Sequence, residues 1–98
     1  MAIFVPSTLD GASVELLAGV GEAQRATRRT RHSVNGFEER AANLAIVRYS
    51  DDPGYYLFYC SVDWEVLTDT YHAAAQEAVN QANYEFDNLH FLPRAEQP

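Results

Sequence analysis

Between Leu44 and Phe86 the apolar positions change period, and each change marks an element. Leu44-Ala45-Ile46-Val47-Arg48-Tyr49 is rich in β-branched and aromatic residues and predicts a strand over about 44–49. Asp51-Asp52-Pro53-Gly54 predicts a tight turn, with Pro53 presetting φ and Gly54 accepting a positive φ. A second strand follows over about 55–61. Both of its alternate sets, Tyr55, Leu57, Tyr59 and Tyr56, Phe58, Cys60, are apolar or aromatic. It is therefore expected at the centre of the sheet, covered on both faces. A third strand over about 65–71 puts Leu67 and Tyr71 on one face and Thr68 and Thr70 on the other.

The period then lengthens. Ala75, Ala78, Val79, Ala82 and Phe86 form one stripe of a helix over about 73–86, with Glu77, Asn80, Gln81 and Tyr84 pointing away. Burying Phe86 at the end of the stripe contributes roughly 2–3 kcal/mol. No capping residue directly precedes Ala73, which leaves Thr70 as the cap or none.

The N-terminal half is less regular. Ile3-Phe4-Val5 predicts a short edge strand ending at Pro6, followed by a turn-rich connector over 7–11. The spacing of Val14, Leu16, Leu17 and Val20 predicts a short helix capped by Ser13 or Asp10 and ended by Gly19 and Gly21. Glu22–Ala26 and Phe37–Ala42 each read as a helical turn or two, around an Asn35-Gly36 turn. Phe91-Leu92 adds a candidate edge strand, and 93–98 a frayed tail. The pattern predicts one α+β domain over 1–92: a three- or four-stranded antiparallel β-meander, then an amphipathic helix, with one or two short helices in the N-terminal half.

Composition supports a folded protein: 47% of the 98 residues are hydrophobic and 12% aromatic. A single cysteine, Cys60, excludes a disulfide framework and a multi-cysteine zinc site. No apolar stretch approaches the roughly 20 residues that span a bilayer. Met1–Pro6 has no basic region and too short an apolar run for a secretion signal. A cytoplasmic bacterial protein is the simplest expectation, since a lone thiol survives best in a reducing compartment.

Charge changes the picture more. The net charge is −7, and all seven cations are arginines. Residues 1–32 hold three acids and four arginines, while residues 33–98 hold eleven acids and three arginines. An acidic body repels phosphates over a Debye length and disfavours sequence-independent nucleic-acid binding. Against that stands the segment with Arg25, Arg28, Arg29 and Arg31, followed by His32, which suits a phosphate or nucleic-acid ligand. Its bland reading is pairing with acids of the same molecule.

Other chemistry is sparse. Asp63 and Glu65 lie two apart and could share a cation, but no calcium-loop spacing accompanies them, and no metal or cofactor is expected. Cys60 and His72 are the one nucleophile–base combination, with Asp69 to orient the imidazole; a buried thiol and a strand-end histidine are the structural alternatives. Asp63, Trp64, Glu65, Glu77 and Tyr84 combine acids with aromatics on expected surfaces, a composition suited to protein recognition.

Tyr56-Leu57-Phe58-Tyr59-Cys60, Asp63-Trp64, Thr68-Asp69-Thr70-Tyr71-His72, Glu77-Ala78 and Glu85-Phe86 together resemble a set of small bacterial proteins of unknown activity. Those share LFYC, DW, a TDT-aromatic-His string and an alanine- and glutamate-rich helix. The resemblance covers about a third of the chain. Many small acidic bacterial proteins of this kind are immunity or antitoxin partners. The order strand–strand–strand–helix also resembles the antitoxin fold related to a partial ribonuclease H core. Here the helix opens on three alanines, and the arginine-bearing segment before Leu44 has no counterpart in that fold. The expected function is a non-enzymatic module that engages a basic protein. Nucleic-acid or phosphate binding through Arg25–Arg31 and a small Cys60/His72 enzyme are the alternatives. Self-association through leftover tyrosine-rich sheet is a further expectation, and no membrane partner is expected.

Overall fold

A computed structural model describes residues 6–21 and 41–94. The order is β1 (Thr8–Leu9), β2 (Ala12–Gly19), β3 (Asn43–Arg48), β4 (Tyr55–Cys60), β5 (Val66–His72), α1 (Ala75–Glu85) and β6 (Leu92–Pro93). The strands form one antiparallel sheet in the order β1-β2-β3-β4-β5, curled into a half-barrel, with β6 also paired to β2. The predicted α+β architecture holds. The meander occupies 43–48, 55–60 and 66–72, and the helix follows it.

The expected helix around Val14–Val20 is instead the eight-residue strand β2. Helix-favouring Leu and Ala are overruled here by pairing on both edges: β3 on one, β1 and β6 on the other. A β-bulge between Val14 and Leu16 adjusts the register, so that Leu16 faces one core and Leu17 the other. As expected, β4 is the central strand of the meander, paired with β3 and β5 and buried on both faces; with β2 added, the middle strand of the whole sheet is β3, whose Leu44, Ala45, Ile46 and Val47 are all fully buried. The remaining expected N-terminal helical turns, at 22–26 and within 37–40, and the strand at 3–5 lie outside the described residues. Pro93, expected to open the tail, pairs with Leu16 in β6.

Each face of the sheet carries a core. On the first, Leu44, Ile46, Leu57 and Tyr59 pack under Ala78 and Ala82 of α1 and Phe86 just past its end, with Ala75 and Val79 at the margin. The alanine stripe brings the helix close to β4 and β5, as its spacing predicts. On the second face, Leu9, Ala12, Val14, Leu17, Ala45, Val47, Phe58 and Cys60 form the core, flanked by Tyr49, Tyr56, Trp64 and Val66.

Two local predictions change for steric reasons. A second bulge sets both Leu67 and Thr68 opposite the Tyr59–Cys60 step of β4. Leu67 therefore joins the helix-side core, whereas Tyr71 lies on the opposite face, its ring centroid 4.8 Å from that of Tyr56. Gly54 does not adopt a positive φ; Gly11 does. Gly54 is needed because the Tyr71 ring lies over it, where a Cβ would overlap the hydroxyl and ring carbons. Its N–H donates to Asp52 Oδ1 at 2.9 Å, closing an Asx-type turn around Pro53.

Candidate functional site

β5 and α1 meet along an open groove of about 400 Å³ lined by His72, Glu77, Asn80, Gln81 and Tyr84. The sequence dictates most of it. Helical spacing places Glu77, Asn80, Gln81 and Tyr84 on the flank of α1 beside its alanine stripe. β5 ends at His72, two residues before the helix N-cap Ala74, so the imidazole sits at the mouth. Tyr84 is 48% exposed.

Glu77 has a structural task as well. Ala74 makes no side-chain cap, and Glu77 Oε1 instead accepts from the Ala73 N–H at 3.2 Å. The bond reaches one residue beyond the N-cap, past the position a capping box uses, and the carboxylate also lies favourably at the positive end of the helix.

Below the groove runs a polar line. Thr70 Oγ1 and His72 Nε2 are 2.8 Å apart on one face of β5. Deeper in, the Tyr59 hydroxyl donates to Glu85 Oε1, with Tyr59 fully buried and Glu85 nearly so. Burial pushes the Tyr59 phenol far above its usual range, and the hydrogen bond to Glu85 and its charge act the same way, while the Thr70 hydroxyl opposes them. The phenol is therefore a fixed donor that ties α1 to β4, not a proton-transfer group.

The proposed nucleophile–base pair is not assembled. Cys60 closes one end of β4 in the second core, and His72 pairs with Tyr55 at the other end, on the opposite face. Desolvation raises the thiol to about 12, with the charge of Asp10 adding to it, so it stays protonated. Asp69 sits between Thr70 and Thr68 on the outward-facing set of β5 and does not orient His72, whose partner is Thr70.

The five partner-binding candidates separate into two groups. Glu77 and Tyr84 share the groove. Asp63, Trp64 and Glu65 form the β4–β5 turn, stapled by Ser61: its Oγ accepts from the Asp63 and Glu65 N–H groups, and its carbonyl accepts from the Trp64 N–H. Trp64 takes a positive φ of 65° and rests against the second core, while Asp63 and Glu65 are exposed. Arg25, Arg28, Arg29 and Arg31 lie outside the described residues. No group of three or more His, Cys, Asp or Glu suited to a metal ion occurs among the described residues. No described helix is long and apolar enough to cross a membrane.

Sequence reasoning missed His72 as a groove residue, and gave Glu85 no structural role. Glu85 carries a positional signal: it lies seven residues after Ala78 and three after Ala82, on the stripe that packs against the sheet.

No protein-family model, curated protein or solved structure matches the chain.

Proposed function

We propose that this chain is a non-enzymatic interaction module that engages a basic protein, in the manner of an immunity or antitoxin partner or of a regulator. One observation carries the reading. Asp10, Glu15, Asp51, Asp63, Glu65, Asp69, Glu77 and Asp87 are all exposed, and none forms an ion pair among the described residues. From 49 to 93 the sequence contains no arginine or lysine at all. Of the two described arginines, Arg48 lies 5.5 Å over the Tyr55 ring and Arg94 is half-buried. Among the described residues, the turns on either side of β4, with β5 and α1, thus present unpaired negative charge, which speeds encounter with a positive surface and repels phosphate ligands.

The test uses the full chain and fluorescent nonaarginine, with nonaglutamate as control, in anisotropy titrations across a salt series. Nonaarginine binds at low salt and weakens as salt rises; nonaglutamate does not bind. Absence of nonaarginine binding at low salt overturns the reading.

A further inference from the structure

The two edges of the sheet are treated differently. The outer side of β2 is covered by β1 and β6. The outer side of β5 is paired with no strand among the described residues. β5 is seven residues long, and beyond its bulge at Leu67–Thr68 it runs regularly to His72. It therefore offers a row of backbone donors and acceptors to an incoming extended chain.

The side chains along that edge set the chemistry of the occupant. Asp63 and Glu65 are exposed in the turn that leads into β5, Asp69 is exposed on its second face, and Glu77 lines the groove beside its end. Side chains of an added strand would alternate between the two faces. One set would enter the groove of His72, Glu77 and Tyr84. The other would pass Asp69 and the half-exposed Tyr71 ring. Carboxylates beside tyrosine rings suit guanidinium and ammonium groups through charge and cation–π attraction.

A second copy of the chain is a poor occupant, because edge-to-edge pairing of two β5 strands would set these carboxylates against each other. We infer that the outer edge of β5, which pairs with no described strand, takes up an extended, arginine- or lysine-bearing segment of a partner protein as an additional strand. This rests on the acidic-module reading and adds to it a location and a binding mode.

The experiment compares two nine-residue peptides alternating threonine and arginine, one unmodified and one N-methylated at every second residue so that it keeps its charge but cannot pair along one edge. Binding to the full chain is measured by titration, and the amides of residues 66–72 are followed by hydrogen exchange. The unmodified peptide binds and protects β5 amides. N-methylation weakens it about tenfold or more, equivalent to about 1.4 kcal/mol or more. Asp69→Asn and Glu77→Gln each weaken it roughly two- to fivefold. Equal, salt-sensitive binding of both peptides overturns strand addition and leaves the acidic module standing. No binding of either at low salt removes both. Dimers that protect β5 without peptide overturn the proposal in favour of a second copy.

Discussion

Tyr59 on the fourth strand donates its hydroxyl proton to the carboxylate of Glu85 in the last turn of the helix, and both side chains are shielded from water. This bond ties α1, which forms one wall of the groove, to β4 in the sheet beneath it. Removing a donor to a buried carboxylate costs about 1–3 kcal/mol. Tyr59→Phe is therefore expected to lower stability by that amount, a fall of several degrees or more in Tm for a domain of this size. Glu85→Gln keeps an acceptor and costs less. The Tyr59→Phe/Glu85→Gln cycle should show a coupling of about 1 kcal/mol in urea unfolding; strictly additive effects would show that the contact contributes nothing.

Alkaline pH should unfold the protein through Cys60. Its thiol rises from an ordinary 9.0 to about 12 in the folded state. Between those values the folded chain holds a proton that the unfolded chain has released. Stability is then complete below about pH 9 and falls progressively toward pH 12. At 1.36 kcal/mol per unit the loss is about 4 kcal/mol. Tyr59, also raised, extends the fall to higher pH. Cys60→Ala should reduce the slope of urea-derived stability between pH 9 and 10 by about half, leaving the share of Tyr49, Tyr59 and Tyr71, which are also raised in the folded state. An unchanged slope would place the alkaline sensitivity elsewhere.

Gly54→Ala tests the Tyr71 cover. A methyl group at 54 overlaps the Tyr71 ring and must displace it, breaking the 2.7 Å hydrogen bond from the Tyr71 hydroxyl to Asp52 and the edge contact with Tyr56. The Tyr71 side chain is half-exposed and free to swing outward, so the expected cost is about 1 kcal/mol. In a Tyr71→Ala background the same substitution should cost nothing. Thermal unfolding of the four proteins in this cycle decides it, and an equal cost in both backgrounds would locate the requirement in the backbone.

The helix N-terminus leaves stability unused. Ala74 occupies the N-cap with extended dihedrals, φ −141° and ψ 153°, and makes no side-chain cap. Ala74→Ser supplies an N-cap hydroxyl that can accept from an N–H of the first helical turn, and should raise stability by about 0.5–1 kcal/mol. Calorimetry reads this as an increase in Tm; no increase would show that the Glu77 bond to Ala73 already serves the helix end.

The meander was legible in the sequence because β-branched and aromatic residues fill 44–47 and 55–60 too densely for a surface helix, and the alanine stripe of 75–82 named its own helix. β2 was not. Its composition favours a helix, and only pairing with residues far along the chain makes it a strand. The face of Leu67 was equally hidden, since a bulge depends on how two strands count against each other and not on either alone. At the groove, Glu77 and Tyr84 followed from helical geometry. Their meeting with His72 depended on where the helix crosses the sheet, and Glu85 went unseen because a glutamate is ordinarily left to water.

β6 returns from the end of the helix to lie against β2, so that Leu16 faces Pro93. This sets an order in time. β3, β4 and β5 are joined by short connections and can zip together as local hairpins, with α1 docking onto them from the next stretch of chain. The β2–β3 ladder and the β2–β6 pair must instead close long loops, whose entropic cost falls due before their contacts form. The meander and helix are thus expected to form first, with β2 joining late and β1 and β6 closing its outer edge.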